Sequence, residues 1–161
     1  MPSTGNQELG RLLQEVRAAL VTIPGLRRVH WDVPDAIGPY PCIVVYPSGF
    51  TCYLASHAGE GGNPMYWTLH TIRIELHLPH KDLGRDMETV IAFQHDIPQR
   101  LYVAFEQDEF GGTMILPGHP ELANNSTANI RGSLIELGWG SDATIGYRIE
   151  FEVTTESEIF A

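Results

Sequence analysis

The sequence has few cysteines. Only two, Cys42 and Cys52, occur in 161 residues. Small secreted domains that depend on disulfides carry more than this, so a disulfide-stapled scaffold is excluded. The two thiols are expected to be buried and free. A bridge across a hairpin is the alternative that their spacing leaves open.

Positive charge is also scarce. The chain has 10 lysines and arginines against 20 acidic residues, a formal net charge of −10. Proteins bind nucleic acid mainly through lysine and arginine side chains that neutralise phosphates, so this composition argues against such a function. An acidic wall around a passage through which DNA slides is still compatible with it, because such a wall repels phosphates. The length predicts one domain over residues 1–161, and a hydrophobic content of 43% is ordinary for a globular protein.

Long apolar runs are absent. No stretch approaches the roughly 20 residues that cross a bilayer. Glu8, Arg11, Glu15 and Arg17 interrupt the apolar positions near the N-terminus, so no secretory signal peptide is predicted. We expect a protein that is made in the cytoplasm and has no membrane partner.

The common catalytic motifs are missing as well. Ser48 lies in Tyr-Pro-Ser-Gly-Phe, which is not the Gly-x-Ser-x-Gly turn of a hydrolase nucleophile. The glycines between Gly59 and Gly62 lack the lysine of a phosphate-binding loop and do not open a helix. Nothing favours a pairing of either cysteine with His30 or His57. The sequence therefore predicts no enzyme and no cofactor.

Seven histidines raise the possibility of a metal site. Glu75 and His77 share one face of a predicted strand and could bind a metal ion together with His80 or His70. His70 has the opposite parity in the strand, and the strand ends before His80. A small metal-binding domain or enzyme based on Glu75, His77 and His80 is therefore an alternative, and a polar contact surface is the preferred interpretation.

The sequence does contain one long segment, Tyr66–Leu78, in which apolar and polar residues alternate. One face carries Ile72, Ile74, Leu76 and Leu78, and the other carries Trp67, Thr71, Arg73, Glu75 and His77. A period of two residues predicts a β-strand. Strands usually run about 5–6 residues, so we expect this one to project past the core of its own subunit.

A projecting, two-faced strand favours assembly over catalysis. The candidate oligomer-interface residues are Tyr66, Trp67, Leu69, Thr71, Arg73 and Glu75. The loops 55–66 and 106–129 are expected to join this surface, and charge reversal at Arg73 is expected to weaken assembly more than the fold. A ligand-binding module with an apolar pocket at Tyr66 and Trp67 is a third hypothesis.

The remaining elements predict an α+β fold. An amphipathic helix over residues 4–22 ends at Pro24-Gly25, and a second helix over 82–105 contains Pro98, which should kink or divide it. The other predicted strands cover 26–32, 41–46, 50–54, 130–139 and 144–155, with a break at Pro47-Ser48-Gly49 and a long loop over 106–129. We expect a mostly antiparallel sheet with both helices on one face and long hairpin and loop extensions.

This layout resembles a known family. The segments that carry the resemblance are Ile23-Pro24-Gly25-Leu26, the strand from Pro41 to Ser48, the strand end Ile74-Glu75-Leu76-His77-Leu78-Pro79, Ile97-Pro98, and Gly146-Tyr147-Arg148-Ile149-Glu150-Phe151. Together they are similar to the tail terminator proteins of long-tailed bacteriophages, and more broadly to the neck and tail-completion proteins. The similarity is one of layout over nearly the whole chain, and its motifs are short.

The resemblance implies a structural function. Tail terminators have an α+β fold and form a hexameric ring that caps the tail tube and meets the head connector, with DNA passing through the ring. It therefore implies a homo-oligomer in the virion, contacts with a tail-tube protein and a connector protein, and no catalytic residues. Another neck, tail-completion or tail-tube protein is the alternative within the same class. The segment 106–129 has no counterpart that we can place in the family.

Overall fold

The computed structural model describes residues 4–30, 34–58, 61–78, 87–107, 130–139 and 142–159. Its elements in chain order are α1 (Thr4–Val21), β1 (Arg28–His30), β2 (Cys42–Ala58), β3 (Pro64–Leu78), α2 (Met87–Gln107), β4 (Arg131–Trp139) and β5 (Asp142–Glu158). The described residues form two helices and a five-stranded, mostly antiparallel sheet, which confirms the predicted α+β class.

The strand order in the sheet is β1-β2-β3-β5-β4. β1 pairs with β2 in parallel and is only three residues long, shorter than predicted. The other neighbours pair antiparallel. β3 is the central strand. It pairs with β2 from Tyr66 to His77 and with β5 from Met65 to Leu78. Its length therefore sets the length of the sheet.

Both helices lie on one face of the sheet, as predicted. Their buried residues are Val16 and Leu20 of α1 and Val90, Phe93, Ile97 and Leu101 of α2. They pack in one core with Ile43, Val45, Ile72, Ile74, Leu76, Ile149 and Phe151 of the sheet. Full burial of such a side chain contributes about 1.5–3 kcal/mol, so this core supplies most of the stabilising free energy.

The prediction that Pro47-Ser48-Gly49 ends a strand is wrong. β2 is one strand of 17 residues that continues through this triplet. Pro47 pairs with Ile72 and Gly49 with Thr71, so Ser48 is an extra residue absorbed by an irregularity in the ladder. β1 has already ended at this point, and an edge strand is where a proline without an N–H is tolerated.

The second helix is not divided at its proline. α2 runs without division through Pro98 and ends at Gln107. Ile97 and Leu101 flank the proline and are fully buried, so packing against the sheet holds both halves of the helix. The predicted start near Asp82 lies outside the described residues, as do His80 and positions 108–129 of the predicted long loop.

A segment between β1 and β2 covers the opposite face of the sheet. We call residues 34–41 the strap. Ile37 of the strap packs on Cys42 and Val44, and Tyr40 packs against the same small cluster. The indole N–H of Trp139 donates a hydrogen bond to the carbonyl oxygen of Pro34 at 2.8 Å. The inner part of the sheet is thus covered on both faces.

The outer part of the sheet has less cover. We call residues 46–58 of β2, 64–71 of β3 and 151–158 of β5 the arm. β1 pairs with β2 only as far as Val44, and β4 pairs with β5 only as far as Glu150. Within the described part of the chain, the two outer strands of the arm therefore each have one open edge.

The register of the sheet can be tested by a substitution at Gly146. It lies opposite His77 on β3, and a Cβ built on it would overlap the carbonyl oxygen of Leu76. We predict that Gly146→Ala destabilises the fold by about 1–3 kcal/mol, because the buried strands must separate to admit a methyl group. Chemical denaturation measures the change.

Gly138→Ala on β4 is the matched control, since a Cβ there would meet nothing within 4 Å. It should stay within about 0.5 kcal/mol of the natural protein. Equal effects of the two substitutions would contradict the close approach of β5 to β3.

Candidate functional site

The six interface residues predicted from the sequence all lie on β3, but they do not share one environment. Tyr66 is on the helix-side face, and the odd-numbered residues are on the opposite face. Tyr66, Trp67, Leu69, Thr71 and Arg73 are half-buried in the single chain. Glu75 is only 4% exposed, so its side chain is enclosed and the prediction that it contacts a neighbouring subunit is corrected.

Two apolar residues on the open edge were not among the predicted contacts. Phe50 is 73% exposed and Leu54 is 74% exposed, and both lie on the arm in β2. Phe50 pairs with His70 and Leu54 with Tyr66, so they extend the helix-side face beyond its core. Both residues lie in a predicted strand, so they could have been considered from the sequence. They were not chosen because apolar strand residues are usually buried in the protein's own core.

The other face of the arm carries an aromatic pair. The rings of Tyr53 and Trp67 meet edge to face, with centroids 5.4 Å apart. Such a pair stabilises a strand pairing by about 0.2–1 kcal/mol. Tyr53 remains 39% exposed. Both faces of the arm therefore present apolar or aromatic side chains that the described residues only partly cover.

Arg73 has a partner within its own chain. Its Nε and Nη2 atoms donate hydrogen bonds to Oε1 of Glu150 on β5 at 2.9 and 2.7 Å. A hydrogen bond to Tyr46 and the Glu150 carboxylate raise the pKa of Arg73, so it is charged at any ordinary pH. Charge reversal at Arg73 would place two carboxylates together and act first on the sheet, so we revise the expectation that it would act mainly on assembly.

A buried polar cluster lies on the strap side of the sheet. It consists of Glu75 and His77 on β3 and Thr144 on β5, which are at most 4% exposed. The Nδ1 atom of His77 and the Oγ1 atom of Thr144 are 2.6 Å apart. His77 Nε2 and Glu75 Oε2 are 3.6 Å apart, and neither atom has a hydrogen-bond partner. The contact is an electrostatic one inside the protein.

Glu75 is held in its ionised form. Burial has the largest single influence and raises its pKa, but His77, Tyr46 and Arg148 together lower the pKa below its ordinary value. Nη2 of Arg148 is 3.8 Å from Oε1 of Glu75. If the Thr144 hydroxyl donates to His77 Nδ1, the Nε2–H of His77 faces this carboxylate, which is the favourable arrangement.

This cluster is not arranged for metal binding in the described residues. Glu75 and His77 come together as the metal hypothesis requires, but His70 points to the opposite face and His80 lies outside the description. No group of three histidine, cysteine or carboxylate side chains among the described residues could hold a metal ion. Two ligands do not make a zinc site, which takes three or four.

The cysteines are free and differ in exposure. Cys42 is buried, as predicted, whereas Cys52 is exposed, so the expectation for Cys52 is wrong. Burial raises the pKa of the Cys42 thiol to about 11, which keeps it protonated and a poor nucleophile at neutral pH. Cys52 lies on the arm, with its Sγ atom 3.2 Å from the Thr68 hydroxyl.

The sequence matches no protein-family model and no curated protein. Neither helix in the described part of the chain is long and apolar enough to cross a membrane. The arm and the buried polar cluster therefore have to be interpreted from their own geometry.

The cluster generates a prediction about stability. Thr144→Val keeps the shape of the side chain but removes its hydrogen bond to His77. Because a buried ring nitrogen is then left without a partner, we expect a loss of about 1–3 kcal/mol in the free energy of unfolding. Denaturant titration near pH 7 measures it.

Thr51→Val is the control for that measurement, because Thr51 is an exposed residue of β2 in the arm. It should change the free energy of unfolding by less than about 0.5 kcal/mol. If Thr144→Val left the free energy of unfolding unchanged, the cluster would not be holding β3 and β5 together.

Proposed function

We propose that this protein is a structural subunit of a bacteriophage neck or tail, a terminator-like protein that forms a ring by contacts between arms. The observation that carries the proposal is the arm, a three-stranded extension with exposed apolar residues and with two edges that no described strand pairs with. The function needs no catalytic group. The ring, which the resemblance suggests is hexameric, would cap a tail tube and join it to the head connector.

The open edges favour assembly for a simple reason. Unpaired strand edges present free N–H and C=O groups and are ready templates for pairing with another chain. Here they lie on opposite sides of one arm, along β2 and along β5. A contact between two different surfaces of identical subunits runs head to tail, and it closes into a ring when the rotation permits.

The exposed residues on the arm add to this argument. Phe50 and Leu54 are each more than 70% exposed and two pleats apart on the same face of β2. Apolar side chains at such a position are normally covered, and a neighbouring subunit would cover them. The formal charge of −10 fits a lumen through which DNA passes without binding.

The test is the size of the protein in solution. We predict a ring-sized oligomer by light scattering and negative-stain microscopy, alone or with a tail-tube protein. The double substitution Phe50→Ser with Leu54→Ser should weaken self-association about tenfold or more, since each buried apolar contact contributes about 1–3 kcal/mol. The fold should be retained, because neither side chain is in the core.

Met87→Ser with Ile91→Ser is the matched control. These residues are 55% and 59% exposed and lie on α2, which is not part of the arm. The control should assemble normally. A stable monomer under all conditions, including with the tube protein, would contradict the ring. Loss of assembly in the control alone would move the interface to α2.

A further inference from the structure

The strap side of the sheet contains a second buried histidine. His30 lies on β1 opposite Val44 and is 5% exposed. Its Nε2 atom has no hydrogen-bond partner. The neighbouring residue Val29 belongs to the helix-side core, so His30 lies on the strap side, as His77 does. Two buried imidazoles, each with one ring nitrogen that has no hydrogen-bond partner, therefore lie on the strap side of the sheet.

These imidazoles have only one buried carboxylate to compensate their charge. Among the described residues, Glu75 is the single buried acidic side chain. It lies 3.6 Å from His77, so a proton added to His77 forms an ion pair. Within the described residues, a proton added to His30 has no such partner and meets the positive charge of Arg28 and of a protonated His77. Uncompensated buried charge is strongly destabilising.

The strap depends on this same surface for its attachment. Trp139 donates its hydrogen bond to Pro34 and packs its ring edge to face on His77, with centroids 6.2 Å apart. Ile37 packs on Cys42 and Val44, next to His30 in the sheet. The helices pack on the other face. A positive charge on His30 therefore destabilises the attachment of the strap before it destabilises the main core.

We propose that His30, together with the His77–Glu75 pair, forms an acid-sensitive attachment that holds the strap on the sheet at neutral pH and releases it when His30 is protonated. The device lies on the inner part of the sheet and does not depend on the proposed ring. Its release would expose the apolar surface of Val44, Tyr46 and Trp139.

The ionisable side chains on this surface come from each element packed against it. They are Arg28 of β1, Cys42 and Tyr46 of β2, Arg73, Glu75 and His77 of β3, Arg131 of β4, Arg148, Glu150 and Glu152 of β5, and the exposed Asp35 of the strap. The pKa of Glu75 is lowered below its ordinary value, so this carboxylate keeps its charge between pH 5 and 8. Histidine is the side chain whose ordinary pKa lies in that range, so His30 is the group on which the pH change acts.

The direction of the pH effect follows from His30. Burial first, and then the charges of Arg28 and His77, lower its pKa below the ordinary value of 6.5. The unfolded or released form therefore binds the proton more tightly than the closed form. The stabilisation from neutral His30 is complete above pH 6.5 and is lost as the pH falls through the lowered pKa.

Hydrogen exchange followed by mass spectrometry tests this proposal. After correction for the intrinsic exchange rate, amides of residues 34–41 should exchange about tenfold faster or more at pH 5 than at pH 7.5, while those of residues 72–76 stay unchanged. His30→Leu should abolish this pH dependence. His95→Gln, at an exposed histidine of α2, should leave it intact.

A second measurement does not depend on any variant. Imidazole resonances of the natural protein should place the titration of His30 below 6.5, at the pH where the strap amides lose protection. Strap protection that is independent of pH would overturn the proposal. So would the same pH dependence in His30→Leu, or a His30 titration that does not coincide with strap exchange.

Discussion

The ladder that β3 forms with β2 on one side and β5 on the other is the interaction on which the rest of the structure depends. It continues along nearly the whole of β3 and sets three rows of side chains on the strap side of the sheet. The rows are Cys42–His77–Gly146, Val44–Glu75–Arg148 and Tyr46–Arg73–Glu150. A slip of one residue would move every one of these side chains to the helix-side face.

This ladder also divides β3 into two halves with different surroundings. The inner half has the helices on one face and the strap on the other, so even its polar residues Glu75 and His77 are buried. The outer half is mostly half-buried, with Met65 and Thr68 buried, and Phe50 and Leu54 beside it are exposed. One continuous strand thus serves the core at one end and, in our proposal, a neighbouring subunit at the other.

Much of the fold could be predicted from local patterns. The apolar stripe of α1, the alternation of β3 and the hairpin of β4 and β5 depend on residues close together in the chain. The continuity of β2 could not be predicted, because Pro47 and Gly49 are local breakers and the pairing that overrides them comes from β3. Alternation likewise places Glu75 and His77 on one face but cannot show that a strap covers that face.

Whether the arm is the contact between subunits is tested most directly by hydrogen exchange compared between dilute and concentrated protein. We predict that assembly protects amides of residues 49–54 and 151–158, the two open edges, whereas residues 72–76 are protected in both states. Protection gained on α2, with both edges of the arm exchanging freely in the assembled protein, would contradict an interface formed by the arm.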